Sequence, residues 1–182
     1  MAIATMAEPM GVRWWGNLLG YQATWFVAVI AAGRGLWWPG VLAALAFAAS
    51  QLALARDRTR MLLLFAAAFP IGAIVDGALA HGGVLRYAAP SPALPAGGAP
   101  LWILGLWLAF AATLQCSLAF LQRRRWLAAA FGAIGAPLAY LGAAQRWQAV
   151  AFAAPSALGL LALAGAWALA LPVLATIARP AP

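Results

Sequence analysis

The sequence predicts an all-α fold: a polytopic membrane protein in which six transmembrane helices form one bundle with both termini in the cytoplasm. Composition, spacing and charge placement lead there. Sixty-six per cent of the 182 residues are apolar and 8% are charged, and the mean hydropathy is +0.92. A soluble domain of this size could not hide so much apolar surface, so the solvent is lipid. Apolar runs near the roughly 20 residues that span a hydrocarbon core recur about six times. The basic residues fall between these runs.

Residues 1–13 read as a short cytoplasmic segment. The first span covers 14–32 and ends at Gly33-Arg34-Gly35. Asn17 and Gln22 interrupt its apolar character and no clean cleavage site follows, so it reads as a span and not a signal peptide. The second span covers 38–55, with Pro39 where a helix tolerates proline, at its start. Arg56-Asp57-Arg58-Thr59-Arg60 forms a charged turn before the third span, 61–81. In 82–99, Arg86 and Tyr87 suggest an ordered start, and Pro90, Pro92, Pro95, Gly97 and Gly98 predict a flexible interfacial loop for the rest. The fourth span, 100–121, closes at Arg123-Arg124-Arg125, and the fifth covers 126–144. Arg146-Trp147-Gln148 makes a tight outer turn, 149–154 suits loop or helix, and the last span, 155–177, leaves a tail at 179–182. Pro70, Pro137 and Pro172 fall inside spans and free one carbonyl each, which neighbours or water must satisfy.

Charge sets the orientation. All eleven basic residues are Arg, against Glu8, Asp57 and Asp76, giving a net charge of +8. An inside N-terminus assigns eight of them, Arg13, Arg56, Arg58, Arg60, Arg123, Arg124, Arg125 and Arg179, to the cytoplasm, and three, Arg34, Arg86 and Arg146, to the other side. That is the positive-inside pattern of a multi-pass membrane protein with both termini in the cytoplasm. Trp14, Trp15, Trp37, Trp38, Trp102, Trp126 and Trp147 near the span ends supply an aromatic belt. Arginines scattered between apolar runs face lipid headgroups, so nucleic acid is not expected as a partner.

The chain holds one cysteine, Cys116, and one histidine, His81, which precludes an intrachain disulfide and leaves too few ligands for a zinc site. No metal and no cofactor are expected. No Ser-His-Asp arrangement and no phosphate-binding glycine loop is present. A small buried hydrophobe is the ordinary role for Cys116, and a tolerated interfacial residue the ordinary role for His81, with general-base duty the sharper alternative.

Asp76 is the most informative position. It is the one acid inside the run 61–80, where a carboxyl costs about 2.5–3.5 kcal/mol on insertion scales unless it is neutral, hydrated or paired. Gly72 and Ala80, four residues to either side, share its helix face and suit close packing, which turns Asp76 into the bundle. Tyr140 reaches a similar depth on the fifth span, and Arg34, Arg86, Arg146 and His81 are the cations on that side. Two readings stand: an outward-facing polar pocket of Asp76, Tyr140 and these residues, or an ion pair that fixes helix packing.

A second polar group lies toward the cytoplasm. Asn17, Tyr21 and Thr24 form a stripe on the first span beside Gln22, and Thr113, Gln115 and Ser117 gather on the fourth. Interhelical hydrogen bonding accounts for them; a headgroup or substrate site of Asn17, Gln22 and Gln115 with Arg13 is the alternative. Small residues at Gly132, Gly135, Ala136, Ala139 and Ala143 permit close approach on the fifth span, inside the bundle or between copies in a homo-oligomer.

Several segments together resemble one family. These are Asn17-Leu18 leading to Gln22 and Trp25-Phe26, then Trp37-Trp38-Pro39-Gly40, and Asp76 within Gly-Ala-Ile-Val-Asp-Gly. Pro100-Leu101-Trp102 through Leu106-Trp107, Phe110 and Thr113-Leu114 continue the match, and Gly135-Ala136-Pro137-Leu138-Ala139-Tyr140 with Gly142-Ala143 completes it. The chain after Val12 is similar to the proteobacterial inner-membrane proteins grouped as domain-of-unknown-function family 2878. That family carries no assigned activity. Its members' gene neighbours, methyltransferases resembling cyclopropane-fatty-acid synthases and flavin-dependent amine-oxidase-like proteins, imply a part in handling membrane fatty acids.

Three functions follow as expectations. The first is an accessory that binds or positions lipids for a fatty-acid modification pathway, with membrane lipids and membrane or peripheral proteins as partners. The second is a small transporter that uses Asp76 as an ion or proton relay. The third is a lipid-modifying membrane enzyme, whose cofactor would have to come from a partner.

Overall fold

The computed structural model describes residues 11–179, so the predicted segment 1–13 and tail 179–182 lie largely outside the described residues. Six α-helices dominate: α1 (Val12–Gly33), α2 (Trp38–Leu54), α3 (Arg58–His81), α4 (Leu101–Thr113), α5 (Arg125–Trp147) and α6 (Ser156–Ile177). Four short strands accompany them: β1 (Leu85–Tyr87), β2 (Ala93–Leu94), β3 (Ala99–Pro100) and β4 (Val150–Phe152). By length and composition, α3, α5 and α6 could each cross a membrane, and α2 and α4 are shorter apolar helices.

The helix bounds follow local chemistry. Pro39 sits in the first turn of α2, where its missing N–H is no loss. The charged turn is shorter than predicted because Asp57 caps α3: its Oδ1 accepts the Arg60 backbone N–H at 2.9 Å, and the helix begins at Arg58. α5 runs on to Trp147, past the predicted 144, and ends where Gln148 takes a left-handed backbone (φ 54°).

Two expectations are corrected. The fourth span is not a helix over 100–121. α4 ends at Thr113, and a series of turns leads to a short 3-10 helix at Ala119–Leu121. Asn17 draws the chain inward there, as its Oδ1 accepts the Ser117 backbone N–H (3.2 Å) and hydroxyl (2.5 Å). In 82–99 the ordered start expected at Arg86 and Tyr87 is present as β1, and the remainder, expected as a flexible loop, is also paired. β1 pairs antiparallel with β4, with Arg86 opposite Ala151, and β2 pairs with β3. The ambiguous 149–154 becomes a strand because β1 supplies its partner.

α4 is the hub. Eleven of its 13 residues are buried, and α1, α2 and α3 pack around it while α5 pairs with α6. Gly72 is required where α3 crosses α4: a Cβ there would lie 2.5 Å from the Trp107 ring.

Arginines bind one end together. Arg13 donates to the Leu54 carbonyl, Arg58 to Ala53 (3.2 Å), Arg60 to Ile177 (3.3 Å) and Arg179, and Arg179 to Gln122. They satisfy carbonyls at or just beyond helix C-termini, which have no partner within the helix. The eight arginines expected on one side flank this end, and Arg34, Arg86 and Arg146 flank the other.

Candidate functional site

Asp76 is fully buried, five residues before the end of α3. Its Oδ1 accepts hydrogen bonds from the hydroxyls of Tyr87 (2.7 Å) and Tyr140 (2.5 Å), and its Oδ2 from the Trp107 indole N–H (2.6 Å). Four elements meet at one carboxyl group: α3 supplies the acid, β1 Tyr87, α4 Trp107 and α5 Tyr140. The β1–β4 pairing carries Tyr87 over the helix end. Gly72, one turn before Asp76, makes room for the ring that donates to it.

The geometry brings Asp76 and Tyr140 together and leaves the predicted cations elsewhere. Arg34, Arg86 and Arg146 are exposed, and none hydrogen-bonds Asp76. His81 is exposed, with Nδ1 3.0 Å from the Gly77 carbonyl of its own helix. Among the described residues the one ion pair is Arg60–Asp57 at the opposite end (3.3 Å). Neutral O–H and N–H donors meet the need that a cation was expected to meet, and they avoid burying a second charge.

At the arginine-rich end, Asn17 donates to Gln51 Oε1 (2.8 Å) and accepts from Ser117, tying α1 to α2 and to the turn after α4. Gln22 is exposed and Gln115 does not join this network; its Nε2 is buried without a partner in the described residues. Thr24 and Thr113 bond carbonyls of their own helices, Gly20 (2.8 Å) and Phe110 (2.6 Å), and make no interhelical bonds. No group of three His, Cys, Asp or Glu side chains that could hold a metal occurs among the described residues.

A cavity of about 440 Å³ lies beside the Asp76 cluster. Its two sides are α1, from Leu18 to Val29, and α5, from Phe131 to Ala143, and its back wall is α4 with Trp167 and Leu171 of α6. Trp25, Val29, Ala143 and Val150 line the end away from the arginines, and beyond them the Trp147 ring meets Trp25 and Phe26 edge-on, each at 5.5 Å, with its carbonyl against Gly33. Trp107 and Tyr140, two of the three donors to Asp76, line the cavity, so the buried carboxyl is one side chain removed from it. Gly132, Gly135 and Ala139 all line this space, and Gly132 also packs on α6, where a Cβ would lie 2.4 Å from the Trp167 carbonyl.

Sequence reasoning found Asp76 and Tyr140 but not Tyr87, Trp107, Gln51 or the cavity. Trp107 reads as one apolar aromatic among ten tryptophans. The available signal was that a buried acid needs donors, and indole and phenol groups are donors that an apolar count conceals.

Fold and site together define an apolar helical protein with membrane-compatible helices, a buried carboxyl held by aromatic donors, and a side cavity beside it. The chain belongs to the family described as protein of unknown function (DUF2878), whose model matches residues 14–173. Neither the curated proteins nor the solved structures include a match to it.

Proposed function

We propose that this is a multi-pass protein of the bacterial inner membrane whose six helices cross the bilayer with both termini cytoplasmic. It holds one lipid hydrocarbon chain in the α1–α5 cavity, as an accessory that positions lipid for fatty-acid modification. The observation that carries this reading is the cavity. Its volume of about 440 Å³ falls in the range of roughly 300–1,000 Å³ typical of small-molecule sites. Its α5 wall runs from Phe131 to Ala143, about 18 Å at 1.5 Å per residue, close to half of a hydrocarbon core roughly 30 Å thick. Exposed Leu138 and half-buried Leu18 at its rim would face acyl chains.

The role is that of a binder because Tyr140 and Trp107 beside the cavity are committed to Asp76, and the other polar side chains that line it, Tyr21, Gln22, Thr113 and Ser117, form no acid–base or nucleophile set. Asp76 has both oxygens occupied, and a chemical step would need groups from a protein partner. A relay through Asp76 would require the tyrosine and tryptophan donors to release it.

The test is mass spectrometry of lipid retained after gentle detergent purification, comparing wild type with Ala139→Trp, which fills the cavity. Wild type is expected to retain about one lipid per chain and the variant to lose it. Equal retention, or none in either, overturns the reading.

A further inference from the structure

Resting on the lipid-binding reading above, we infer that the lipid is an anionic phospholipid. Its phosphate lies at the Arg123-Arg124-Arg125 run, and its acyl chain rises along the cavity toward Tyr140.

The position of the unengaged arginines relative to the cavity sets the direction of headgroup and chain. Beyond Tyr140 the Trp147 ring packs on Trp25 and Phe26, and Arg34 and Arg146 lie on the far side of this aromatic group, outside the cavity lining. At the other end the cavity begins at Phe131, six residues after Arg125, and at Leu18, five after Arg13. A helical rise of 1.5 Å per residue makes that about 8–9 Å. The headgroup layer on each side of a bilayer is roughly 5–8 Å thick. A phosphate at the arginines therefore puts the first methylenes at the cavity entrance.

The arginines at this end differ in how far they are already engaged. Arg13, Arg58, Arg60 and Arg179 donate to backbone carbonyls. The described carboxylate here, Asp57, is taken by Arg60. Arg123, Arg124 and Arg125 are exposed, and among the described hydrogen bonds none involves their side chains. Their position at the start of α5 sets positive charge against the helix dipole, so helix stability does not account for them. Guanidinium forks match phosphate oxygens in pairs. Trp126, the next residue and 90% exposed, is placed as an interfacial anchor. With no free described carboxylate nearby, a zwitterionic head would bring its own cation among these arginines, whereas an anionic head would not.

The experiment titrates the full chain in uncharged detergent with phosphatidylglycerol and, separately, phosphatidylcholine, read by native mass spectrometry. Wild type is expected to favour phosphatidylglycerol by about ten-fold or more. Arg123→Gln/Arg124→Gln/Arg125→Gln is expected to reduce phosphatidylglycerol to the phosphatidylcholine level while phosphatidylcholine binding stays unchanged, which also reports an intact fold. Should the triple variant bind neither lipid, single Arg124→Gln decides, with a partial loss of preference expected. Arg34→Gln/Arg86→Gln is expected to leave the preference intact. Excess inorganic phosphate should fail to displace the lipid, because the cavity holds its chain; complete displacement would reduce the site to a free-phosphate site. Preference persisting in the arginine variants, or lost in Arg34→Gln/Arg86→Gln, overturns the inference. If Ala139→Trp still binds both lipids, the cavity reading falls with it. If that variant loses both while the arginine variants match wild type, only the headgroup placement falls.

Discussion

Asp76 fastens α3 to β1, α4 and α5, and two substitutions of it separate chemistry from size. In Asp76→Leu the donors Tyr87, Tyr140 and Trp107 lose their acceptor; each buried donor left unpaired costs about 1–3 kcal/mol. Asp76→Asn can turn its amide oxygen to the indole N–H and its amide nitrogen to the phenol oxygens, which accept as well as donate. The asparagine variant is expected to unfold within about 1 kcal/mol of wild type and the leucine variant at least about 2 kcal/mol earlier, measured by denaturant titration in mild detergent. Tyr140→Phe removes one bond and should cost roughly 0.6 kcal/mol, the mean for hydrogen bonds inside membranes. Asp57 makes a contrasting case in the exposed turn. The Arg60 backbone N–H foremost, and the Arg60 guanidinium after it, hold its carboxyl below the ordinary aspartate value. Its contribution is therefore fully present above the ordinary aspartate pKa and is lost as pH falls through the depressed one. Thermal midpoints of wild type and Asp57→Ala should differ at neutral pH and converge in acid. Of these two acids, Asp76 was legible as special from its apolar surroundings, and so was its pairing with Tyr140. Tyr87 and Trp107 were not, because 11 and 31 residues separate them from it and spacing along one helix says nothing about such distances.

Between elements, glycine decides which helices can touch. A side chain at Gly132 would meet the Trp167 carbonyl at 2.4 Å, and backbone cannot step aside as a side-chain tip can. Gly132→Leu must therefore part α5 from α6, with an overpacking cost of about 1–3 kcal/mol. Gly135→Ala points toward open space, 3.7 Å from the Phe131 ring, and should leave stability unchanged. Equal thermal midpoints for the two variants would contradict this assignment. The small-residue row on the fifth span was legible as a close-packing signal, but which members touch a helix and which line a cavity depends on how α5 rotates against α6. The ends of α2 and α6 and the C-terminal end of α3 were also legible, because proline and charge positions are local, whereas the start of α3 came three residues earlier than expected through the Asp57 cap. The end of α4 was not: residues 114–121 are apolar enough to continue a helix, and the chain turns because Ser117 finds Asn17, 100 positions away in sequence.

On the scale of the whole molecule, α4 spans 13 residues, about 20 Å at 1.5 Å per residue, short of a hydrocarbon core roughly 30 Å thick. Surrounded by other helices, it need not satisfy that length, because irregular backbone is tolerated at membrane depth where protein covers it. In the proposed membrane arrangement the lipid-facing requirement falls on the outer helices. With helix ends alternating between the arginine-rich end and the opposite one, both ends of the described residues, Gly11 and Arg179, belong to the first. Charge bias then predicts that this end faces the cytoplasm. The check begins by removing the one native thiol as Cys116→Ser. Its sulfur makes a long contact of 3.6 Å to the Arg13 carbonyl, so the change should be tolerated. Single cysteines are then placed at Arg56, in the turn between α2 and α3, and at Ala88, next to β1; both positions are exposed. A membrane-impermeant maleimide applied to intact spheroplasts should label the cysteine at 88 and reach the one at 56 only after lysis. The reverse pattern would turn the protein over and put the cavity entrance, with any headgroup held there, in the outer leaflet. Labelling of both in intact spheroplasts would mean that the two ends are not on opposite sides of a bilayer, and the six-crossing arrangement itself would have to be abandoned.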